Sequence, residues 1–229
     1  MSKPKIKIIA HCKDGKENSL LYKENADLNP IFIENNRTPI ALAYNKQLDQ
    51  AKEDGTDILV FCHDDIKIYS DVIQQVEHWS KTFDVFGVSG SSCIEIKKPV
   101  SWLTMGGYAK ESGKSAVPCL HGHVSHGNPD WQHVDSYGPF PSPALVIDGL
   151  FMGLSRAAIE TIRFDETCPS PYDFYDLDFC LQAITNQLTV GVTDIRILHE
   201  STGHYDIPIY ETGEDWFIDK WAPIFNTSP

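Results

Sequence analysis

The chain has 229 residues, of which 41% are hydrophobic, 11% aromatic and 22% charged. These proportions are ordinary for a globular protein that buries a sizeable core. The formal net charge is −13, and no basic run is longer than Lys97 and Lys98. This charge argues against direct binding of nucleic acid or of an anionic membrane surface.

The N-terminal residues and the cysteines indicate the cellular compartment of the protein. The N-terminus is short and polar before the first apolar run, so we expect neither a signal peptide nor a transmembrane segment. The six cysteines contain no Cys-x-x-Cys pair, and Cys62 and Cys180 fall inside apolar segments. This usage is typical of reduced thiols, so a cytoplasmic protein is expected.

The first part of the chain alternates apolar strands with amphipathic helices. One helix is predicted after Thr38 and Pro39, which combine a capping hydroxyl with a proline at the first helical position. Another is predicted from Ser70 and Asp71, because apolar residues recur at helical spacing after them. Buried strands are predicted at residues 6–12, 30–34, 58–62 and 85–88. This order predicts an α/β domain with a mainly parallel central sheet flanked by helices.

The second part is less regular. Residues 94–143 are rich in Gly, Pro, His, Ser and Trp and have no sustained period, which predicts an irregular binding loop or insertion. Later strands are predicted at residues 144–147, 188–192 and 195–198, and helices after Ser155, from 173–178 and over 216–221. Because neither a repeat nor a linker is visible, residues 1–229 are interpreted as a single domain.

Polar side chains follow several of the apolar runs. His63, Asp64 and Asp65 come directly after the buried strand at 58–62, and Asp148 and His199 end later runs. The rim of an open α/β sheet is where ligands bind, and clustered carboxylates there favour a divalent cation. A plain Asp-Asp turn is the alternative interpretation of this stretch.

A further cluster of aspartates begins a predicted helix at Asp173, Asp176 and Asp178. Helix capping alone explains any one of them, because a carboxylate accepts from free backbone amides at that end. Three in six residues, flanked by Phe and Tyr, are more than a cap needs.

A rival metal site lies in the histidine-rich part of residues 94–143. Zinc sites usually contain paired ligands two to four residues apart, and this segment lacks a convincing second pair. The alternative interpretation is a polar loop whose histidines contact solvent or sugar hydroxyls. The residues concerned are Cys119, His121, His123, His126 and His133.

The ordered set of these motifs resembles family-2-like glycosyltransferases of the GT-A fold. The resemblance covers roughly residues 6–221 and is weakest in 94–143. No single motif is specific, and the order and spacing of the set carry the resemblance. The matching stretches are Asn35-Asn36, AYN at 43–45, VFCHDDI at 60–66, IDG at 147–149, YDLDFC at 175–180 and LHESTG at 198–203.

The resemblance implies a donor site and a metal site. Asp65 matches the last carboxylate of the family's Asp-x-Asp motif, which binds a divalent metal, Mn²⁺ or Mg²⁺. His63 stands where the family has its first Asp, so the nucleotide contact is assigned to His63 or Asp64. His199 matches a late histidine that completes the metal site. Further donor contacts are implied for Asn35 and Asn36, beside the nucleobase, and for Asp148 and Gly149, beside the sugar.

The resemblance also implies a catalytic base. The family's base is the Asp of a Glu-Asp pair that starts a helix, and here Tyr175 replaces the Glu. Asp176 is therefore the candidate base, with Asp178 as the alternative if the register is shifted. A base on the face opposite the leaving group implies a single displacement with inversion.

The sequence-based hypothesis is a GT-A-like (Rossmann-like) enzyme that transfers a sugar from a nucleotide-diphosphate donor to an acceptor hydroxyl. The acceptor can be a glycan, a lipid-linked sugar, a protein or a modified base, and residues 94–143 are interpreted as an acceptor-side loop or insertion. A sugar-nucleotidyltransferase is the second hypothesis, although Lys13 to Lys16 form only a feeble phosphate loop. A non-catalytic nucleotide- or sugar-binding module is the third, because Tyr175 and His63 depart from the family pattern.

Overall fold

The structure is a computed structural model that describes residues 3–107, 119–200 and 207–226. It contains two β-sheets with helices packed against them. The helices are α1 Leu20–Asn25, α2 Ile40–Glu53, α3 Val72–Trp79, α4 Trp102–Met105, α5 Arg156–Thr161, α6 Tyr175–Thr185 and α7 Ile207–Phe225. The strands are β1 Ile6–His11, β2 Ile31–Ile33, β3 Ile58–His63, β4 Ile66–Ile68, β5 Val85–Gly87, β6 Ser89–Ser91, β7 Leu120–Asn128, β8 Trp131–Gly138, β9 Ser142–Ala144, β10 Val146–Ile147, β11 Phe151–Ser155, β12 Val190–Val192 and β13 Ile197–His199.

The larger sheet has the strand order β2-β1-β3-β11-β5-β12-β9. Strand β3 lies inside it, with Ile58 to Cys62 fully or almost fully buried, as its continuous apolar run predicts. Strands β1 and β3 are parallel, and their register sets His11 directly beside His63. The carboxyl ends of these two strands therefore bring two histidines together at one edge of the sheet.

The α/β class is confirmed, but the prediction of a mainly parallel sheet is wrong. Strand β11 runs antiparallel between β3 and β5, and the sheet has three parallel and three antiparallel pairs. Sequence analysis missed β11 because it is short and buried throughout. Gly153 in this strand is required by packing, since a Cβ there would lie 2.2 Å from the Phe86 ring.

A second sheet has the order β10-β6-β7-β13-β4, with β8 paired to β7. It corrects the prediction that residues 94–143 are irregular, because α4 and the β7–β8 hairpin lie within that range. Most side chains of the hairpin are polar on both faces, so the sequence lacks the apolar alternation that identifies a strand. The predicted strand at 144–147 is likewise divided at Leu145 into β9 and β10, which belong to different sheets.

Helix α2 packs one face on the larger sheet. Tyr44 stacks on Phe61 of β3 with ring centroids 4.0 Å apart, and Leu48 is fully buried. The helix begins one residue later than predicted. Pro39 is its N-cap, and the Thr38 hydroxyl bonds to the Asn36 side chain instead of capping the helix.

One cysteine pair contradicts the expectation of reduced thiols. Cys93 and Cys119 form a disulfide with their Cα atoms 5.5 Å apart. The remaining cysteines have free thiols. No described helix combines the length and the apolar character that crossing a bilayer requires.

Candidate active site

Three potential metal ligands converge where β3 and β13 end. The register of β13 with β4 sets His199 opposite Ile66, directly after the turn that contains Asp65. Asp65 Oδ1 lies 3.6 Å from His63 Nδ1 and 3.4 Å from His199 Nε2. The ligand atoms of His63, Asp65 and His199 all lie within 4.8 Å of one another. We call these three residues the candidate metal cluster.

The donor set of this cluster suits a divalent cation. Asp65 Oδ1 and His199 Nε2 are buried, and neither has a hydrogen-bond partner in the described part of the chain. Buried polar atoms without partners are rare and costly, and a cation would satisfy both. Carboxylate oxygen suits Mg²⁺ and Mn²⁺, whereas imidazole favours Mn²⁺ over Mg²⁺.

The charges within the cluster are already complementary. Burial acts to raise the pKa of Asp65, but the neighbouring His199 and His63 outweigh it and lower that pKa below its ordinary value. Burial acts to lower the pKa of His63, and the adjacent Asp65 carboxylate outweighs it and raises that pKa. Asp65 is therefore ionised at neutral pH, whereas protonation of His63 competes with a cation.

Two cavities meet at His63, Tyr172 and Tyr175. The first, the His11 cavity, has a volume of about 210 Å³ and is also lined by His11, Ile40, Tyr44, Cys62, Asp64 and Asp65. The second, the Asp176 cavity, has a volume of about 240 Å³ and is also lined by Val100, Ser101, Trp102, Leu103, Asp148, Asp173, Phe174, Asp176, Leu177 and Tyr210. The described linings of both cavities contain carboxylates and histidines but neither Lys nor Arg.

A larger open groove of about 730 Å³ lies elsewhere, beside the start of β3 and of α5. Its charged groups other than Lys3 already have partners. Arg156 pairs with Glu160, and Asp84 accepts from the Ser155 hydroxyl. The two cavities are smaller than this groove, but members of the candidate metal cluster and several carboxylates line them. We therefore take the two cavities, and not the groove, as the candidate active site.

Asp176 lies in the first turn of α6 and faces the second cavity. Its Oδ2 accepts a 2.7 Å hydrogen bond from the backbone N–H of Gly149, and its Oδ1 accepts from Leu177 N at 2.8 Å. Burial, followed by the nearby Asp148 charge, raises the pKa of Asp176 to about 7. A carboxyl that titrates near neutral pH is suited to accepting a proton in catalysis.

The backbone around Asp176 is shaped for this contact. Phe174 caps α6 with a φ of 64°, a left-handed conformation that is uncommon for an aromatic residue. A Cβ at position 149 would lie 2.3 Å from the Tyr175 hydroxyl and 3.0 Å from Asp176 Cβ. Glycine at 149 thus permits the close approach of the β10–β11 turn to the start of α6.

The predicted irregular segment contributes to the site through α4. Trp102 Nε1 donates a 3.0 Å hydrogen bond to Asp148 Oδ2, and the backbone N–H of Leu150 donates to Asp148 Oδ1. The Trp102 ring also packs edge-on against Tyr137 of β8, with centroids 4.9 Å apart. Asp148 is therefore oriented by two donors beside Asp176.

Asp178, the alternative base, lies outside both cavities. It is 1% exposed. It accepts from Lys220 Nζ at 2.6 Å, Trp221 Nε1 at 2.8 Å and Gln182 Nε2 at 2.7 Å. The bonds to Lys220 and Trp221 join α6 to α7, and the bond to Gln182 lies within α6.

The two asparagines predicted at the nucleobase lie at the end of β2 but line neither cavity. Asn35 is exposed, and the Asn36 side chain accepts from Thr38. His11 lines the first cavity instead, with its ring 5.6 Å from that of Tyr172. Sequence analysis missed His11, although β1 ends at this histidine just as β3 ends at His63.

The structure does not bring together the residues of the alternative zinc site. Cys119 is in a disulfide, and both ring nitrogens of His121 are engaged, with Pro139 O at 3.0 Å and Ser92 Oγ at 2.9 Å. His126 and His133 instead flank Asp135 on one face of the β7–β8 hairpin. In the described ranges, the three residues of the candidate metal cluster are the only such group with mutually close ligand atoms.

No protein-family model matches the sequence, and no curated protein matches it. Among solved structures, A197 from STIV is similar with a TM-score of 0.51 and 13% identity, over 86% of each chain. The chain shares its fold with A197. A glycosyltransferase involved in glycosylation of the major capsid of PBCV-1 matches over 93% of this chain and 92% of its own, with a TM-score of 0.32 and 12% identity. An inositol-1-phosphate CTP transferase from T. maritima matches over 93% and 96%, with a TM-score of 0.34 and 10% identity.

Proposed function

We propose that the protein is a metal-dependent, inverting glycosyltransferase of the GT-A type. It transfers a sugar from a nucleotide-diphosphate donor to a hydroxyl of an acceptor such as a glycan. The observation that carries this proposal is the arrangement of two kinds of chemical group in the neighbouring cavities that meet at His63. The candidate metal cluster adjoins the His11 cavity, and the carboxyl that titrates near neutral pH lies in the neighbouring Asp176 cavity.

The His11 cavity is the proposed donor-nucleotide side. Asp64 lines it, next in sequence to the ligands His63 and Asp65. An anionic diphosphate cannot be neutralised there by Lys or Arg, because the described lining contains neither. A cation held by His63, Asp65 and His199, Mn²⁺ or Mg²⁺, would stabilise the charge that builds on the departing diphosphate.

The Asp176 cavity is the proposed acceptor side. Asp176 accepts the proton of the acceptor hydroxyl, and Gly149 N–H fixes the carboxylate while it does so. Asp148 lines this cavity, and Gly149 accepts from Tyr175, which lines both cavities; the donor sugar would lie beside these two residues. Asp65 of the cluster lines only the His11 cavity and Asp176 only the Asp176 cavity, while His63 lines both. This separation favours attack from the face opposite the diphosphate, which inverts the anomeric carbon.

The sugar-nucleotidyltransferase alternative gains no support from the loop after β1. That enzyme class needs backbone amides and basic side chains around the phosphates. Here a short 3₁₀ helix, Lys16–Asn18, occupies the loop, and Lys16 Nζ is paired with Glu34 at 3.4 Å.

A cytoplasmic location is part of this proposal. Cys12, Cys62 and Cys180 have free, buried thiols, which is the usual state of cysteines in the cytosol. The disulfide between Cys93 and Cys119 is the one observation that weighs against it.

Product analysis tests the proposed reaction. The protein is incubated with a panel of nucleotide-sugars, a glycan acceptor and Mn²⁺, with EDTA in parallel, and the released nucleotide is identified. A separate incubation contains nucleoside triphosphates and a sugar phosphate. The proposal predicts a nucleoside diphosphate and a sugar product of inverted anomeric configuration, only with the metal. Pyrophosphate formed from a nucleoside triphosphate and a sugar phosphate would instead support the nucleotidyltransferase. Donor binding without any turnover would support the binding module.

A further inference from the structure

Tyr175 stands where the glycosyltransferase resemblance expects a glutamate, and it is one of the residues that line both cavities. Its side chain is buried, with 8% of the residue exposed. The ring packs edge-on against Tyr44, with centroids 6.0 Å apart, and tilted against Phe164 at 6.2 Å. These contacts fix the ring without help from the hydroxyl.

The hydroxyl of Tyr175 has two partners. It lies 3.5 Å from His63 Nε2 and 3.3 Å from the carbonyl oxygen of Gly149. A phenol has one proton to donate, and the Gly149 carbonyl can only accept it. The hydroxyl oxygen therefore accepts from His63, which requires the proton of the neutral imidazole to be on Nε2.

This tautomer has a consequence for the candidate metal cluster. With the proton on Nε2, the lone pair of the neutral ring is on Nδ1, the nitrogen that faces Asp65 Oδ1 at 3.6 Å. A metal-binding histidine commonly donates its other N–H to a second group, which sets the tautomer and orients the ring. Tyr175 supplies that second group here.

The Tyr175 hydroxyl is also connected to the proposed base, Asp176, through Gly149. The Gly149 carbonyl accepts from Tyr175, and the Gly149 N–H donates to Asp176 Oδ2 at 2.7 Å. The absence of a side chain at 149 makes room for this hydroxyl, because a Cβ there would lie 2.3 Å from it. One phenol thus contacts both a ligand of the cluster and the turn that holds Asp176.

We propose that Tyr175 is a positioning residue that presents His63 Nδ1 to a divalent cation and fixes the Gly149 turn against Asp176. This inference rests on the proposed function, because it assigns the cation to the cluster of His63, Asp65 and His199. The hydroxyl would act through the His63 ring, because His63 is the member of the cluster to which it is hydrogen-bonded.

The variant Tyr175→Phe removes the hydroxyl and keeps the packed ring. Binding of Mn²⁺ alone is measured by the electron paramagnetic resonance signal of the free ion, without nucleotide or acceptor. Loss of a group that orients a metal ligand typically weakens metal affinity 10- to 100-fold, and a loss of about 10-fold is expected. Tyr172→Phe is the matched control, because Tyr172 also lines both cavities and no hydrogen bond of its hydroxyl is present among the described residues.

A double-variant cycle with His63→Ala distinguishes positioning from general destabilisation. If Tyr175 acts through His63, adding Tyr175→Phe to His63→Ala produces no further loss of Mn²⁺ affinity. The melting temperature of each variant in EDTA reports whether the fold is intact.

The outcomes separate this inference from the proposed function. Failure of the wild-type protein to bind Mn²⁺ overturns the metal-dependent function and the inference together. Normal wild-type binding with unchanged affinity in Tyr175→Phe overturns the inference alone. An equal loss in Tyr172→Phe, or a full additional loss in the double variant, also overturns it.

Discussion

The backbone N–H of Gly149 donates a 2.7 Å hydrogen bond to Oδ2 of Asp176. This bond joins the turn between β10 and β11 to the first turn of α6, across 27 residues of sequence. It directs one carboxyl of an aspartate-rich helix start toward the Asp176 cavity. The proposed catalytic role of Asp176 depends on this relationship.

Replacing Asp176 should remove turnover and spare binding. Asp176→Asn is expected to lower kcat by about 10²- to 10⁴-fold, the usual contribution of a positioned general base, with little change in donor affinity. Asp176→Ala is a second variant, because it avoids setting an amide NH₂ against the donors Gly149 N and Leu177 N. The measurement is the rate of nucleoside diphosphate release at saturating donor.

Asp173→Asn is the matched control for Asp176. Asp173 also lines the Asp176 cavity, but its carboxylate accepts from the Ser170 hydroxyl at 2.6 Å. It should retain most of the activity. Turnover preserved in both Asp176 variants would refute the base assignment.

The pH dependence of kcat should follow the carboxyl of Asp176. Its pKa is raised to about 7, first by burial and then by Asp148. The deprotonated form accepts the proton, so kcat should rise as the pH increases through about 7 and level off above it. An unperturbed aspartate, with a pKa of about 4, would give no change in this range.

Asp148→Asn provides the check on this assignment. Removing the neighbouring negative charge should move the midpoint of the kcat profile to lower pH, at saturating metal and donor. A midpoint that stays in place in Asp148→Asn would show that another group controls the profile.

Asp178 should matter for stability and not for chemistry. Its carboxylate is buried and bonded to Lys220 and Trp221 of α7. Asp178→Ala leaves the buried Trp221 Nε1 without its acceptor, whereas Lys220 keeps Asp165 at 2.6 Å. The expected loss in the free energy of unfolding is therefore about 2 kcal/mol. Chemical denaturation measures it, and kcat per folded molecule should be nearly unchanged. A stable variant that has lost turnover would restore Asp178 as a candidate base.

The contrast between these two aspartates illustrates what sequence patterns can predict. Both stand at the start of one helix, and either fits a motif of the Tyr-Asp-Leu-Asp type. Positions two apart point about 200° apart around a helix, so one faces the cavity and the other faces α7. Only knowledge of what packs against each face distinguishes them.

The sequence predicts β3 and the polar residues at its end, His63 and the following Asp65, because a continuous apolar run stops abruptly there. The antiparallel β11 was not predicted, because five buried residues carry no information on strand direction. The β7–β8 hairpin was missed for another reason. Most of its side chains are polar, so its pairing is set by backbone hydrogen bonds that leave no apolar period in the sequence.

The position of His11 beside His63 is predictable in principle from the sequence, because β1, like β3, is an apolar run that ends at a histidine. Strand β1 pairs in register with β3, so the two terminal histidines necessarily lie side by side. Asn35 and Asn36 follow shortly after β2 of the same sheet, yet they line neither cavity. Position at a strand end therefore identifies the edge of the sheet, and side-chain direction decides which residues line the cavities.

Metal-dependent nucleotide binding is the most direct test of the central claim. The melting temperature is measured with UDP, GDP, dTDP and CMP, each with Mn²⁺ and with EDTA, for the wild type and for Asp65→Asn. A ligand that binds only the native state raises the melting temperature by mass action. We predict that one nucleoside diphosphate raises the wild-type value with Mn²⁺ only, and that Asp65→Asn loses this shift. Absence of a shift with every nucleotide, or an equal shift in EDTA or in Asp65→Asn, would contradict the proposed metal-dependent donor site.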